Sequence, residues 1–191
     1  MVTRRTTAAT APAPSRTASP ASAPVVPLRP AREVAEVRAL VEALPDPELP
    51  MLSLGDLGVI RSVAPAADGV LEVHVTPTYL GCPALPAIVS AIQDVLTANG
   101  HPEGRVRQVL SPPWTTELIT PAGREALAAH GIAPPVSAPA GGPVGVALAQ
   151  APCPHCGSRA TRPHSDFGPT RCQSVLRCTA CHELFPHLSA L

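Results

Sequence analysis

The chain has 191 residues, and its 14 basic residues, all arginine, are balanced by 14 acidic ones, so the net charge is zero. It lacks the clustered basic patch of a phosphate-backbone binder, and with 2% aromatic residues it cannot build a platform for stacking bases. No run approaches the roughly 18 apolar residues of a membrane helix and no secretory apolar segment opens the chain, so a cytoplasmic protein without nucleic-acid or membrane partners is expected.

Residues 1–30 form an acid-free tail rich in Ala, Pro, Ser and Thr. Its composition is that of a transit peptide, but Pro12, Pro14, Pro20, Pro24, Pro27 and Pro30 oppose the amphipathic helix such a peptide needs, which favours disorder. From Ala31 to Leu44, Val34, Val37, Leu40, Val41 and Leu44 recur at helical spacing until Pro45. Asp46-Pro-Glu-Leu-Pro50 reads as rigid loop. Leu57–Val63 and Val70–Val75 read as strands joined at Asp68-Gly69, a hairpin signal. In the second strand Leu71, Val73 and Val75 share one face, leaving Glu72, His74 and Thr76 on the other, so His74 reads as a solvent-face residue rather than a ligand.

The loop Thr76-Pro-Thr-Tyr-Leu-Gly-Cys-Pro83 comes next, with a helix from Pro83 to about Ala98 that carries Ile88, Ile92, Val95 and Leu96 on one face and stops at Asn99-Gly100. A third strand spans Arg105–Leu110, and Ser111-Pro-Pro-Trp-Thr-Thr116 is a stiff loop holding the sole tryptophan. Thr120 caps and Pro121 opens a last helix that ends at His130-Gly131, with Leu127 as its apolar contact. Residues 31–133 therefore read as a small α+β domain. Residues 134–150 read as a Pro/Gly/Ala linker that, at about 3 Å per extended residue, could carry the C-terminal segment tens of ångströms away. Within it Val144, Val146 and Leu148 alternate like a first strand of the next unit.

Residues 151–191 contain Cys153-Pro-His-Cys156 and Cys178-Thr-Ala-Cys181. Two C-x-x-C turns on facing hairpins supply the four thiolates of a tetrahedral zinc site, and in a reducing compartment this reading is favoured over a disulfide. Gly157 permits the tight turn that aims amides at the sulfurs. With few large apolar residues, the segment needs the metal as its core. His155, His164, His182 and His187 read as surface or supporting residues, although any could replace a thiolate. Cys172 is either a substitute ligand or a buried structural cysteine between the two turns.

In the first domain the sharpest candidate is Cys82, placed at the start of a helix where free amides and the helix dipole favour a thiolate. Gly81 beside it allows close approach, and the competing reading is a small buried hydrophobe. Asp46, Glu48 and Asp56 either cap loops or offer hard ligands for iron near Cys82, and Thr76 lies on the same loop. A hydrolytic Cys82–His74 pair lacks a pocket.

Asp46-Pro-Glu-Leu-Pro50, Leu54-Gly-Asp-Leu-Gly-Val-Ile60, Thr76–Pro83 and Ser111–Thr116, in that order, resemble iron–sulfur assembly factors of the SufT type. With Cys153–Ser158, Asp166-Phe-Gly-Pro-Thr-Arg-Cys172 and Arg177–Cys181 added, the chain resembles the PaaD subunits of phenylacetyl-CoA epoxidase systems. The resemblance implies helices packed on a short mixed sheet with a zinc ribbon after it. It also implies an accessory protein, not catalytic alone, that aids insertion of iron or an iron–sulfur cluster into the oxygenase or its reductase, or is instead a stoichiometric structural subunit. Cys82 would be the reactive or cluster-handling thiol, with Asp56 and Thr76 beside it. Its partners would be the oxygenase and reductase subunits, with a homodimer also plausible because one thiol cannot hold a cluster.

Overall fold

The computed structural model describes residues 32–136 and 151–188. The expected tail and the strand pattern of Val144, Val146 and Leu148 lie outside them. None of the described helices is long and apolar enough to cross a membrane.

The first module begins with α1 (Val34–Glu42), whose Val37 and Val41 are buried as the periodicity requires. A short helix, α2 (Leu54–Leu57), comes next, where the sequence pattern suggests loop and early strand. Its signal is a reciprocal cap. Asp56 N–H donates to Ser53 Oγ at 2.9 Å, and Ser53 Oγ–H donates to Asp56 Oδ2 at 2.7 Å. Gly58 ends the helix at φ 72°, where a Cβ would collide with the Leu118 carbonyl, so that position demands glycine on two counts.

The sheet has the order β1 (Ile60–Pro65), β2 (Leu71–Val75), β3 (Arg105–Gln108). β1 and β2 are the expected antiparallel hairpin, with Gly69 at φ 79° in the turn, and β2 alternates buried Leu71, Val73 and Val75 with part-exposed Glu72 and His74. His74 meets Glu72 at 2.7 Å, and Glu72 also receives Arg107 at 2.6 Å, so this face is an ion-pair surface. β2 and β3 are parallel, joined through α3 (Leu85–Ala98), which makes the sheet mixed. Ile88, Ile92 and Leu96 bury α3 against the sheet. Trp114 Nε1–H donates to the Leu57 carbonyl at 2.8 Å, pinning the proline-rich loop over α2. After a 3₁₀ turn (Thr116–Leu118), α4 (Pro121–Ala129) opens as expected, with Thr120 Oγ1 accepting from Gly123 N–H and Leu127 fully buried.

The second module is an antiparallel meander of β4 (Thr161–Ser165), β5 (Gln173–Cys178) and β6 (Leu184–Leu188). Its core is small and partly sulfur: Cys153, Leu176, Cys178 and Phe185, with Ala133 and Ala151. The expectation of a ribbon carried far off is not met. Ala133 N–H donates to the Pro186 carbonyl at 2.8 Å and Leu188 N–H to the Ala133 carbonyl at 3.1 Å, while Leu188 and Cys172 pack into the first module's core. The physical reason is that apolar side chains on the ribbon's flank find burial there that the ribbon itself cannot supply.

His187 lies within this seam, 3% exposed, with Nδ1 3.4 Å from Ser174 Oγ and Nε2 without a partner. Burial disfavours its charged form and pulls its pKa from 6.5 down to about 4. The unfolded chain therefore takes up the proton first, and stability present above pH 6.5 is lost as pH falls toward 4, by up to about 1.4 kcal/mol per pH unit. In urea titrations across that window, His187→Leu will show a correspondingly shallower fall than the wild type. Equal slopes would contradict a neutral, buried His187.

Candidate functional site

Two cysteine-bearing regions stand out. In the ribbon, the chain turns at Cys153–Cys156, with Gly157 at φ 73° donating its N–H to the Cys153 carbonyl at 2.8 Å. A second turn comes after β5, where Cys178 N–H donates to the Glu183 carbonyl at 2.9 Å and His182 takes φ 67°. These turns bring all four sulfurs within 4.8 Å of one another. Cys153 and Cys181 Sγ are 3.8 Å apart, and Cys156 and Cys178 Sγ are 3.6 Å apart. A tetrahedron with metal–sulfur bonds of about 2.3 Å has edges of about 3.8 Å, so the residues fit a metal ion.

Electrostatics agree. The N–H groups of Cys181 and Ala180 point at Cys178 Sγ and draw its pKa down to about 6. Cys181 moves up to about 12 against the pull of the Glu183 amide, because burial and the sulfurs of Cys156, Cys178 and Cys153 disfavour another negative charge. Four thiolates at these separations need a cation to hold them together. Among the described residues no histidine joins the cluster. His155 instead stands edge-on to Phe185, with ring centroids 6.4 Å apart.

The second region is the Thr76–Pro83 loop. Thr76 is buried, its N–H donates to the Val59 carbonyl at 2.9 Å, and its hydroxyl has no partner. Gly81 adopts φ 81° with open space around it, so it is needed for the turn and not for close approach. Cys82 is not at the helix cap. α3 starts at Leu85 with Ala84 as its N-cap, and Cys82 contributes its carbonyl to a turn closed by Leu85 N–H at 3.3 Å. Burial pushes the Cys82 thiol pKa up, and the carboxylates of Glu48 and Asp46 add to this against the Ala84 and Leu85 amides. The expected resting thiolate is thus replaced by a half-buried thiol.

Of the acidic candidates, Asp46 caps its own loop, its Oδ1 accepting from Glu48 N–H at 2.9 Å and Leu49 N–H at 2.8 Å. Asp56 has both oxygens engaged, by Ser53 and by Thr120 Oγ1–H at 2.7 Å, so it braces α2 against α4. Glu48 borders a cleft of about 570 Å³ with Tyr79 and Leu80 on one wall and Asp166–Arg171 and Gln173 of the ribbon on the other. A second cleft of about 510 Å³ lies on the loop's far side, between Thr76–Leu80 and Leu110, Pro113 and Trp114. Cys172 is buried, as one of its two sequence readings has it, but in the first module's core rather than between the ribbon turns, with its Sγ 3.1 Å from Thr170 Oγ1.

The geometry defines a class: an α+β module built on a mixed three-stranded sheet, carrying a four-cysteine ribbon fit to bind a metal ion. Residues 34–110 match the family model for iron-sulfur cluster assembly proteins, and residues 144–189 that for the PaaD zinc beta ribbon domain. The chain is 39% identical over 160 residues to an Escherichia coli (strain K12) protein whose name makes it a subunit of 1,2-phenylacetyl-CoA epoxidase, covering 83% of this chain and 94% of that one. It belongs to the PaaD family. The Staphylococcus aureus (strain USA300) Fe-S protein maturation auxiliary factor SufT is 34% identical over 76 residues, 39% of this chain and 85% of that one. A crystal structure of domain of unknown function DUF59 from Bacillus anthracis aligns with 49% of this chain and 90% of its own, at 31% identity and a TM-score of 0.45.

Removing the metal with a strong chelator, or introducing Cys153→Ser, is expected to unfold the ribbon. The metal–thiolate set contributes on the order of 10 kcal/mol, and the loss will register as vanished bound metal and ribbon amide protection in hydrogen exchange. Asp56→Ala is expected to lower stability by about 1–3 kcal/mol by removing the cap and the Thr120 bond. The Ser53 and Thr120 hydroxyls hold the Asp56 pKa below 3.8, so its contribution is full above that pH and fades as acid protonates it. The gap between wild type and variant in urea melts should therefore close toward low pH.

Proposed function

We propose that this chain is an accessory maturation protein of a multicomponent phenylacetyl-CoA ring-epoxidising oxygenase, delivering iron or an iron–sulfur cluster to the oxygenase or its reductase. The observation that carries this reading is the half-buried free thiol of Cys82, in the module that matches iron–sulfur cluster assembly proteins, on a loop flanked by two open clefts. The E. coli relative's name supplies the system and the SufT relative's name supplies the class of task.

The iron or cluster is cargo in this reading. Cys82 binds it after giving up a proton that burial and the Glu48 carboxylate hold in place at rest, so cargo is captured only where it can replace that proton as the thiolate's counter-charge. The ribbon's four cysteines hold zinc, which has no redox chemistry and closes its tetrahedron with four sulfurs, so this metal is structural. Oxygenase and reductase subunits are the partners. A second reading, a stoichiometric structural subunit without maturation work, draws support from Leu80 and Phe167, large apolar side chains 74% and 87% exposed and suited to a permanent interface.

The test is to produce the oxygenase subunits with this protein, without it, or with Cys82→Ser, then purify the oxygenase free of it and measure iron, cluster content and epoxidation. Maturation predicts a metal-replete, active oxygenase only after exposure to the wild-type chain. If metal content ignores that history and activity returns when the protein is added back, the structural-subunit reading holds instead.

A further inference from the structure

The four-cysteine cluster and the seam that docks the ribbon are built on the same strand. β6 starts at Leu184, shortly after Cys181, and its far end lies in the seam. There the Pro186 carbonyl accepts from Ala133 N–H, Leu188 N–H donates to the Ala133 carbonyl, and the Leu188 side chain is buried among first-module residues. Cys172 completes the dock, 5% exposed in that same apolar cluster although the ribbon supplies it. The turn that feeds β6 is strained. His182 takes φ 67°, a region that a non-glycine residue keeps only while its surroundings hold it there. Beside its sulfurs the ribbon buries only Leu176, Phe185 and two alanines in its core, too little to hold that turn without the cluster. The four cysteines are also unequally sheltered. Cys153 and Cys178 are buried and Cys181 is half-buried, but Cys156 is exposed, and its Sγ faces Cys178 Sγ at 3.6 Å. An oxidant arriving from solvent therefore meets one sulfur first, with a second already within reach of it.

We propose that the ribbon is a peroxide-sensitive latch: oxidation of Cys156 with Cys178 breaks up the four-cysteine cluster, frees β6 from the first module and uncovers Cys172. The inference rests on the reading of the four cysteines as ligands of a structural metal and adds a regulatory role to it. Cysteines that ligate a metal are deprotonated, the form that oxidants attack. Hydrogen peroxide is the oxidant. Cys156 Sγ attacks one peroxide oxygen, the O–O bond breaks and hydroxide leaves, which gives a sulfenic acid. The Cys178 thiolate then attacks that sulfur, an S–S bond forms and a second hydroxide leaves. Two thiolates have thus given two electrons to one peroxide, and each hydroxide takes a proton from solvent. Two donors remain where a tetrahedral ion needs four. The His182 turn relaxes, β6 loses its anchor, and Leu188 and Cys172 leave the first module's core. Undocking also takes away Asp166–Arg171 and Gln173 as one wall of the cleft opposite Glu48, Tyr79 and Leu80, so that cleft exists only in the reduced, metal-bound protein. A dithiol reductant together with metal resets the latch.

The test uses the full-length wild-type chain, loaded with zinc, freed of reductant and titrated with hydrogen peroxide. Zinc release is followed with a chromogenic chelator and disulfides are mapped by peptide mass spectrometry. After catalase has removed the peroxide, Cys172 is alkylated with iodoacetamide, and hydrogen exchange is read at the Ala133 and Leu188 amides. The expected result is loss of the bound zinc, Cys156–Cys178 as the first disulfide, Cys172 alkylating roughly tenfold faster or more, and both seam amides losing protection. Dithiothreitol with zinc should reverse all four changes. A strong chelator without peroxide should bare Cys172 to the same extent, which separates metal loss from direct oxidation of that thiol. Zinc released while Cys172 stays protected, in either arm, overturns the latch. So does zinc retained in a large excess of peroxide, or a first disulfide that omits Cys156. A chain that holds no zinc before any oxidant is added overturns the metal reading itself, so the two failures are told apart.

Discussion

Four sulfurs held within 4.8 Å of one another are mutually repulsive once ionised, and a cation at their centre is what turns that repulsion into the ribbon's core. The apolar residues available to the ribbon are few: Leu176 and Phe185 inside, with Phe167 pointing into solvent. The metal therefore does for this module what leucines and valines do for the first. Much else depends on it. The turn geometry at both C-x-x-C pairs, the register of β5 with β6, and hence the position of Leu188 and His187 in the seam all stem from a ribbon kept in one shape.

The seam in turn decides the chemistry of the Thr76–Pro83 loop. Seen within its own module, that loop is a strand end leading to a helix, and free amides there would favour a thiolate on Cys82. Two facts remove the expectation. The helix starts later than Pro83, at Leu85, and the loop is enclosed by the ribbon's Thr170 and Arg171 and by the Asp46–Glu48 turn. Desolvation outweighs the amides because the dipole's influence falls off within the first turn, whereas burial acts on the whole charge. A half-buried thiol protonated at rest is protected from adventitious oxidation, since the thiolate is the reactive form.

Secondary structure in the first module was largely legible because its signals are local. Val37 and Val41, Ile88 and Ile92, and the Thr120-Pro121 start each announce an element by spacing or capping chemistry. The alternation of Leu71, Val73 and Val75 did the same for β2. α2 escaped notice even though Ser53 and Asp56 spell a capping box, because a helix of one turn gives no periodicity to read and Leu57–Val63 looks like a strand. The role of Asp56 was hidden for another reason. Its second partner, Thr120, lies 64 residues along the chain, and only packing brings α2 and α4 together.

The sequence by itself determined the four cysteines that the ribbon gathers into one cluster and the mixed α+β character of the first module, because each is written in short spacings that local geometry converts directly into structure. Only the tertiary structure decided that the ribbon docks, that Cys172 belongs to the first module's core, that His187 is buried and neutral, and that Cys82 rests as a thiol. These are properties of a surface formed by two segments far apart in the chain, and the free energy that forms it, apolar burial without direction or fixed spacing, leaves no periodic mark on the sequence.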